Sequence, residues 1–414
     1  MLAFASRLLP LSLIALASGA IAQDGATPGT DQAIGQQFHI TADGLPEAYA
    51  TPSSSAGPVA VPRGNRQPVV PDGFKVNLYV ENVGGPWRLL VQDDGTVLIA
   101  DQGSGRILRL RDIDENGTAD QGGLLVEGTL NPFGLAFVPS GTYAGDLLLA
   151  DQDAVYRLPL KSPGFRWEQV TANDAFGAVA GHITRELAVD PTTGELYVGI
   201  GSMANLAEEP EVKATIQRFA ADGSGQTTFA TGMRNTTGME FHPATGALYA
   251  VVMERDGMGD ALVPDYLTRV EEGDFFGWPY QYTGGFVQPE YRNHAPKQKA
   301  AKLPDVLFQA HSAPLDIAFI PDSWPEAWRG DSFVALHGSW NSGAPTGYKV
   351  VRVHFENGAP KGTYENFMTG FWVSGTSPAE VWGRPAALAF ATDGALLVGD
   401  DLGATIWRVT PPKE

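Results

Sequence analysis

The sequence predicts an all-β fold, a six-bladed β-propeller built from four-stranded antiparallel blades. Three observations lead to this prediction: a composition rich in turn formers, six copies of one strand pattern, and a strand-like segment ahead of the first copy. The 414 residues include 49 glycines and 30 prolines, and only 18% of them are charged. Such a composition suits many short strands joined by tight turns better than long amphipathic helices.

The strand pattern recurs six times along the chain. The second strands share the form Gly-x-hydrophobic-x-hydrophobic, and they lie at residues 95–101, 145–151, 194–200, 246–252, 330–336 and 394–400. The third strands carry an arginine near their end, and they lie at 106–110, 154–158, 215–219, 266–270, 348–353 and 404–409. The first four copies begin about 50 residues apart, which is typical of propeller blades. A two-sheet sandwich is the alternative.

Residues 73–80, Gly-Phe-Lys-Val-Asn-Leu-Tyr-Val, precede the first complete copy. Their alternation of apolar and polar side chains predicts a strand. We expect it to form the outer strand of the last blade, so that the ring closes without an exposed edge.

The first 22 residues have the features of a signal peptide, with Arg7, a short apolar run and the cleavage motif Ala20-Ile21-Ala22. A buried first helix is the alternative. We expect residues 23–65 to be a flexible segment and residues 66–414 to be the propeller. Cleavage after Ala22 would make the protein periplasmic or secreted.

Charge and cysteine content restrict the partners. The net charge of −19 disfavours nucleic acid and anionic membrane surfaces, and no later segment predicts a membrane span. The chain has no cysteine, which excludes disulfides and thiol chemistry.

In a propeller, the residues that open the first strands face one another across the central channel. From the repeat they are Trp87-Arg88, Asn131-Pro132-Phe133, His182, Arg234-Asn235, His311-Ser312 and Trp382-Gly383-Arg384. Three arginines at one place in an acidic protein suggest an anionic ligand, because buried like charges are costly when unpaired. Alternatively, these arginines pair with acids such as Asp101, Glu254 or Asp256. His182 is a candidate general base, and a purely structural histidine is its alternative.

Two segments offer oxygen ligands for a hard cation. The turn Gly277-Trp278-Pro279 could direct backbone carbonyls at one. Residues 112–120 have the Asp-x-Asp-x-Asn-Gly beginning of a calcium loop, with Asp112, Asp114, Asn116 and Asp120 as ligands. Position twelve of that loop is Gly123 instead of glutamate, which excludes a complete EF-hand. A solvated turn is the alternative to a second calcium site.

Several short motifs, taken together and in their order along the chain, match a known protein family. They are Gly181-His182-x-Thr-Arg185, Gly232-Met-Arg234-Asn235, Glu254-Arg255-Asp256-Gly257, Pro264-Asp265-Tyr266, Phe276-Gly277-Trp278-Pro279, His337-Gly338-Ser339-Trp340-Asn341 and Gly383-Arg384-Pro385. With them, the chain resembles the soluble quinoprotein glucose/sorbosone dehydrogenase family from about residue 70 to its last residue, and most closely the sorbosone dehydrogenase-like branch.

The resemblance implies a quinoprotein that binds pyrroloquinoline quinone (PQQ) and Ca²⁺ and oxidises an aldose or a related sugar or aldehyde. It implies that His182 is the general base, and that Arg234 and Asn235 stabilise the quinone oxygens. Arg384 would hold the cofactor carboxylates, and the carbonyls of the Gly277-Trp278-Pro279 turn would hold its Ca²⁺. The electron acceptor is not identified by the resemblance.

The sequence departs from the family pattern at two positions. Gly181 stands where the glucose-oxidising branch has an aspartate before its base, and Ser342 stands where a basic residue usually follows the His-Gly-Ser-Trp-Asn motif. We expect Lys349 or Arg88 to supply the missing cation to the cofactor. A non-catalytic propeller that binds a ligand or partner and a calcium-dependent lactonase are the alternative functions; a lactonase would need acidic side chains around an axial metal.

Overall fold

The structure is a computed structural model that describes residues 31–141, 143–293 and 300–413. The predicted signal peptide, residues 1–22, lies outside the described residues. The all-β prediction is confirmed, because the regular elements of the described residues are strands and short 3₁₀ helices. The 3₁₀ helices are Ala42–Gly44, Gln102–Ser104, Pro289–Tyr291 and Glu326–Trp328. Within these residues, no helix is long and apolar enough to cross a membrane.

Six sheets have four or five strands, and we number them in chain order of their first strands. Sheet 1 contains Pro86–Val91, Val97–Asp101, Arg106–Arg111 and Gln121–Glu127; sheet 2 contains Gly134–Phe137, Leu147–Ala150, Val155–Leu158 and Glu168–Gln169; sheet 3 contains Arg185–Val189, Leu196–Ile200, Thr215–Phe219, Thr227–Thr231 and Asp274–Phe275. Sheet 4 contains Asn235–Phe241, Leu248–Met253, Pro264–Val270 and Val306–Ala310; sheet 5 contains Pro314–Phe319, Ser332–Leu336, Lys349–Glu356, Ala359–Met368 and Gln37–Phe38; sheet 6 contains Pro385–Phe390, Leu396–Asp400, Thr405–Thr410 and Lys75–Glu81. Pairing is antiparallel except for Asp274–Phe275, which runs parallel to its neighbour.

Two small sheets lie beside the larger ones. In one, Glu380–Val381 pairs with both Val59–Ala60 and Trp372–Ser374. In the other, Gln281–Tyr282 pairs with Phe286–Val287.

Sheet 6 is assembled from distant parts of the chain. Its outer strand, Lys75–Glu81, pairs antiparallel with Thr405–Thr410, and Val76 lies opposite Val409. The prediction that residues 73–80 supply an outer strand to the last copy of the repeat is therefore confirmed.

The first strands of the six sheets contact one another in cyclic order, from sheet 1 through sheet 6 and back to sheet 1. A hydrophobic cluster fills each of the six spaces between neighbouring sheets. Between sheets 1 and 2, for example, Leu98 and Ile107 pack with Leu135 and Leu149. Each sheet is thus covered on both faces, which explains why second strands such as Val97–Asp101 and Leu196–Ile200 are buried along their whole length.

One arginine occupies the centre of the ring. Arg88, on the first strand of sheet 1, pairs with Glu186 of sheet 3 and, at 2.6 Å, with Asp316 of sheet 5. It also donates to the carbonyl of Thr237 in sheet 4 at 2.7 Å. The second carboxylate oxygen of Asp316 accepts the backbone N–H of Leu388 in sheet 6 at 2.8 Å. All three ionisable side chains are about 95% buried, so this axial cluster joins five of the six sheets away from water.

The segment predicted to be flexible, residues 23–65, is described from residue 31 onward. Gln37–Phe38 pairs with the edge of sheet 5, and Val59–Ala60 pairs with Glu380–Val381. Asp31 accepts a hydrogen bond from Lys349 through its backbone carbonyl at 2.9 Å. These contacts place the segment along the edge of sheet 5 and along the small sheet that contains Glu380–Val381.

Replacing Arg88 by methionine should destabilise the fold by about 3–5 kcal/mol, because Glu186 and Asp316 would lose their buried cation. Urea unfolding of the purified protein measures this change. Arg106→Met is the matched control, since Arg106 is half exposed and lies 3.9 Å from Glu127; it should change stability by less than about 0.5 kcal/mol. Equal effects of the two substitutions would contradict the structural role of the axial cluster.

A second prediction concerns pH. Burial raises the pKa of Glu240, whose carboxylate accepts the backbone N–H of Phe319 at 2.8 Å, from its ordinary 4.5 to about 8. Between these values the folded chain holds a proton that the unfolded chain has lost, so stability falls as the pH rises from 4.5 to 8. Glu240→Gln should remove this contribution and flatten the pH dependence of the melting temperature. Identical slopes for the two proteins would show that Glu240 is ionised in the folded state.

Candidate functional site

The candidate site lies at the end of the ring where the first strands begin. His182 lies just before the first strand of sheet 3, Arg234 and Asn235 open that of sheet 4, and Arg384 precedes that of sheet 6. The second strands pair antiparallel with these first strands, so each second strand ends beside the beginning of a first strand, at this same end of the ring. Aspartates there hold the openings by backbone hydrogen bonds: Asp101 accepts the N–H of Gly85, Asp151 that of Asn131, and Asp400 that of Arg384.

His182 is held in one tautomer by sheet 3. Its Nδ1 lies 2.9 Å from the carbonyl oxygen of Ser202, and that carbonyl can only accept a hydrogen bond. Nδ1 therefore carries the proton, and Nε2 keeps its lone pair. No described residue makes a hydrogen bond to Nε2. Burial and the neighbouring Arg234 cation lower the pKa of His182 to about 4, so the ring is neutral at physiological pH.

Two glycines allow His182 its position. Gly181 has φ +62°, and a Cβ there would lie 2.2 Å from the backbone oxygen of Met203. The aspartate that the glucose-oxidising branch has at this position would not fit this backbone. At Gly201, a Cβ would lie 2.6 Å from the Cβ of His182 and 2.5 Å from Oδ1 of Asn235. The histidine and the asparagine approach each other because residue 201 has no side chain.

Arg234 is buried and fixed from three sides. It donates to the carbonyl of Glu254 at 2.8 Å, to Oδ1 of Asn205 at 3.0 Å, and to Asp256 at 3.3 Å. Asn205 was not found from the sequence, because it lies in the loop after the second strand of sheet 3 without a recognisable motif. Its backbone oxygen also accepts the indole N–H of Trp278 at 3.0 Å. Asn205 thus joins Arg234 to the Gly277-Trp278-Pro279 turn.

Asp256 connects Arg234 to sheet 5. Asn341 donates from its side-chain amide to Asp256, and the same nitrogen lies 3.1 Å from Nδ1 of His311. Nε2 of His311 lies 3.0 Å from the carbonyl oxygen of Gly259. Burial by itself would lower the pKa of His311, but Asp256, 3.8 Å from Nδ1, and the hydrogen bond to Gly259 raise it overall. The carboxylate of Asp256 partly neutralises the charge of Arg234. Pairing of the channel arginines with nearby acids is the alternative to an anionic ligand, and it applies to Arg234.

Arg384 approaches from sheet 6. It donates to the carbonyls of His337 at 3.1 Å and Gly338 at 2.6 Å, and no described residue bonds to its Nη1. Nε2 of His337 lies 2.7 Å from Asp401. Burial, followed by the charge of Arg384, lowers the pKa of His337. Asp401 was missed in the sequence, although it directly follows the aspartate that ends the second strand of sheet 6.

Asn235 retains an unused amide. Its Oδ1 is buried without a hydrogen-bond partner among the described residues, and its Nδ2 has only a 3.9 Å contact with the sulfur of Met253. Because amide oxygen and nitrogen are assigned from their surroundings, either atom can face a ligand.

Arg88 and Lys349 are not brought to this cluster as cofactor cations. Arg88 is engaged by the axial carboxylates of Glu186 and Asp316. Lys349 is fully buried in sheet 5, where it bonds to Asp31. Ser342 donates its hydroxyl to the carbonyl of Ala344 at 2.7 Å and so closes its own turn.

The predicted calcium ligands have other engagements. The carbonyl of Gly277 accepts the backbone N–H groups of Tyr280 and Gln281, and that of Pro279 accepts Arg255 at 3.2 Å. In the turn between the third and fourth strands of sheet 1, carboxylate oxygens of Asp112, Asp114 and Asp120 lie within 4.8 Å of one another. Asn116 donates to Asp114 at 3.0 Å. Calcium binding at either place stays a prediction.

Comparison with known proteins follows the same part of the chain. A family model described as TrAA12-like matches residues 68–265 and 268–411. An uncharacterized protein of Borreliella burgdorferi is 28% identical over 357 residues, which cover 82% of this chain and 90% of that protein. A pyrroloquinoline quinone-dependent pyranose dehydrogenase of Coprinopsis cinerea is 25% identical over 353 residues, covering 70% of this chain but only 45% of that protein. The chain therefore spans less than half of the pyranose dehydrogenase.

Solved structures share the fold. The PQQ domain of the Coprinopsis cinerea pyranose dehydrogenase, in its holo form, has a TM-score of 0.69 at 20% identity over 86% of this chain and 99% of that chain. A family AA12 enzyme of Trichoderma reesei has a TM-score of 0.68 at 22% identity over 84% and 99%. The PQQ-bound aldose sugar dehydrogenase of Streptomyces coelicolor has a TM-score of 0.57 at 17% identity over 83% and 100%. At these identities the likeness concerns the fold.

Gly181→Ala tests the packing behind His182. A residue with a side chain at this φ costs about 1–2 kcal/mol, and the contact with Met203 adds to it. Gly246→Ala is the matched control, because Gly246 has φ +67° and open space around its Cβ position. Urea unfolding should show a clearly larger loss of stability for Gly181→Ala. Equal losses would mean that the loop around Met203 moves aside freely.

Proposed function

The chain belongs to the TrAA12-like family, and on that premise we propose that it is a PQQ-dependent dehydrogenase that oxidises a sugar. The observation that carries the proposal is the state of His182: a neutral imidazole with Nε2 unprotonated, beside Arg234 and Asn235. A general base needs such a lone pair, directed toward the site and available near neutral pH.

The polar atoms that remain open suit PQQ. This cofactor carries three carboxylates and an ortho-quinone, so it needs cations and hydrogen-bond donors. Nη1 of Arg384 is open, and the side-chain amide of Asn235 has only a weak partner. Arg384 would hold a carboxylate, and Arg234 with Asn235 would lie at the quinone oxygens. The similarity to PQQ-dependent pyranose dehydrogenase supports this cofactor.

His182 would start the reaction by taking the proton of the sugar hydroxyl on Nε2. Loss of that proton lets the carbon–hydrogen bond break with its electron pair, and a carbonyl forms at the sugar carbon. PQQ, when bound, supplies the ortho-quinone that receives this hydride. Ser202 keeps the imidazole in the reactive tautomer, and the protonated ring is stabilised by hydrogen bonding to its carbonyl. Arg234 provides a fixed positive charge beside the developing negative charge.

Calcium at the Gly277-Trp278-Pro279 turn stays a prediction: the carbonyl of Gly277 accepts two hydrogen bonds and that of Pro279 accepts one, so the carbonyls of Trp278 and Pro279 are the ones that could hold the ion. The proposal includes export to the periplasm or the exterior after removal of residues 1–22. We further propose that the fold is a six-bladed β-propeller, which is supported by the cyclic contacts of the first strands. The sugar and the electron acceptor are left open.

Reconstitution tests the proposal. Purified protein titrated with PQQ should show saturable binding by absorption spectroscopy, and the loaded protein should reduce a dye with at least one aldose. His182→Asn should lower kcat by roughly 10²–10⁴-fold, which is the contribution expected of a general base. PQQ affinity should change little, because the proposed carboxylate contact is made by Arg384.

His39→Asn is the matched control, since His39 is exposed and lies outside the cluster; it should retain full activity. Absence of PQQ binding by the wild-type protein would overturn the proposed cofactor. Binding of PQQ without turnover of any sugar would favour the non-catalytic alternative. Full activity of His182→Asn would remove His182 from the role of base.

The pH profile provides a separate test. His182 is protonated only below its pKa of about 4, so the base is available at every higher pH. The kcat/KM of the loaded enzyme should therefore fall on the acid side with a midpoint near pH 4 and stay level through neutrality. A midpoint near 6.5, the ordinary value for histidine, would show that the base is not in this buried position.

A further inference from the structure

A segment ahead of the family match lies against loops that support the candidate site. We call residues 49–61 the strap. The backbone N–H of Tyr49 bonds to the carbonyl of Met258 at 3.0 Å, and those of Val59 and Val61 bond to Ala379 and Val381, each at 2.8 Å. The strap therefore runs from the loop that follows the second strand of sheet 4 to the approach to sheet 6. The family model begins only at residue 68.

The middle of the strap is tied to residues that support the site. Oγ1 of Thr51 accepts the backbone N–H of Asp260 at 2.9 Å, and Oγ of Ser53 accepts that of Gly259 at 3.1 Å. Gly259 in turn accepts His311, the partner of Asn341. A single residue, Gly259, thus connects the strap to the hydrogen-bonded group that includes Asp256 and Arg234.

Trp340 lies beside the strap. It is 51% exposed, and it is the only exposed one among the nine tryptophans, all of which belong to the described part of the chain. A Cβ built on Gly57 would lie 3.8 Å from the Cβ of Trp340. On the chain, Trp340 directly precedes Asn341, which bonds to Asp256. An exposed aromatic ring and the strap therefore lie side by side, next to the asparagine that bonds to Asp256.

The chemistry of the strap and Trp340 suits an uncharged, hydroxyl-rich ligand. The strap carries four hydroxyl side chains in a row of five residues, Thr51, Ser53, Ser54 and Ser55. It has no acidic or basic side chain between residues 49 and 61. Hydroxyl groups both donate and accept hydrogen bonds, and a tryptophan face offers a flat apolar surface with a polar edge. A sugar ring presents the complementary combination of hydroxyl groups and apolar C–H faces.

We propose that the strap and Trp340 form the specificity part of the sugar site and contact the ring atoms remote from the oxidised carbon. This inference rests on the proposed function, and it adds a chain segment that the family match does not include. His182 acts on one hydroxyl, and the strap with Trp340 selects which sugars present that hydroxyl to it.

Thr51→Ala/Ser53→Ala tests the strap without releasing it, because Tyr49, Val59 and Val61 keep its two ends attached by backbone bonds. KM for the preferred sugar should rise about five- to tenfold while kcat stays within about twofold, as expected when only binding is weakened. PQQ affinity, measured by absorption titration, should not change. The ratio of kcat/KM for the preferred sugar to kcat/KM for its epimers should decrease.

Thr193→Ala/Ser224→Ala is the matched control. It removes two hydroxyls that also bond locally, from turns that follow the first and third strands of sheet 3 and so lie at the opposite end of the ring. It should leave KM unchanged. Equal KM values for the strap variant and the wild type, with PQQ binding intact, would overturn the proposal for the strap.

Trp340 is tested by fluorescence, which needs no activity. Sugar titrated into the PQQ-free protein should change the tryptophan emission of the wild type, and Trp340→Phe should lose most of that change. Trp340→Ala should also raise KM more than Trp340→Phe does, since phenylalanine retains an aromatic face. If the wild type neither binds PQQ nor oxidises sugars, the proposed function fails, while a sugar-dependent signal lost in Trp340→Phe would still support the subsite. Absence of any signal, or its full retention in Trp340→Phe, would overturn it.

Discussion

The architecture depends on a single buried cation. Arg88 lies on the axis of the ring and satisfies two carboxylates from sheets that are not its neighbours. Separating these groups would leave charges unpaired away from water, which costs several kcal/mol for each group. This cost fixes the arrangement of the ring, because the first strands of sheets 1, 3 and 5 must meet at the axis for the charges to be paired. The hydrophobic clusters fill the spaces between the sheets, but each cluster joins only two sheets that are neighbours in the ring. The axial cluster distinguishes which strands face one another.

This constraint also divides the channel. Below the openings, Arg88 lies on the axis and pairs with Glu186 and Asp316. At the openings, Nε2 of His182, Oδ1 of Asn235 and Nη1 of Arg384 have no hydrogen-bond partner among the described residues. An arginine thus has a different role at each position along the axis. Arg88 is paired with acids and stabilises the ring, and Arg384 at the openings has a group that is available to a ligand. Aspartates at the ends of the second strands hold the backbone of the openings, so the open groups lie on a rigid frame.

Much of this could be predicted from the repeat. It gave the second and third strands correctly, and cyclic repetition explains why His182, Arg234 and Arg384 lie at one end of the ring. The partners of individual cations could not be predicted, because a charge pattern contains no information on which acid lies across the axis. Arg88 has the sequence setting of a channel arginine, yet it is paired with Glu186 and Asp316. The sequence shows no sign of either pairing, because Glu186 follows Arg185 directly and Asp316 is the one charged residue of its strand. Lys349 is engaged by Asp31, more than 300 residues earlier. The importance of Gly181 likewise depends on Met203, which belongs to another loop.

The pairing of Lys75–Glu81 with Thr405–Thr410 has a consequence for biosynthesis. On a ribosome, the strand at residue 75 emerges more than 300 residues before its partner. Until then, the edge of sheet 6 and the apolar side chains of Val76 and Leu78 have no cover. Closing a loop of this length is slow compared with the formation of hairpins inside each sheet. The nascent chain therefore consists of partly formed sheets in a row, and the ring can close only after Thr405–Thr410 has been made.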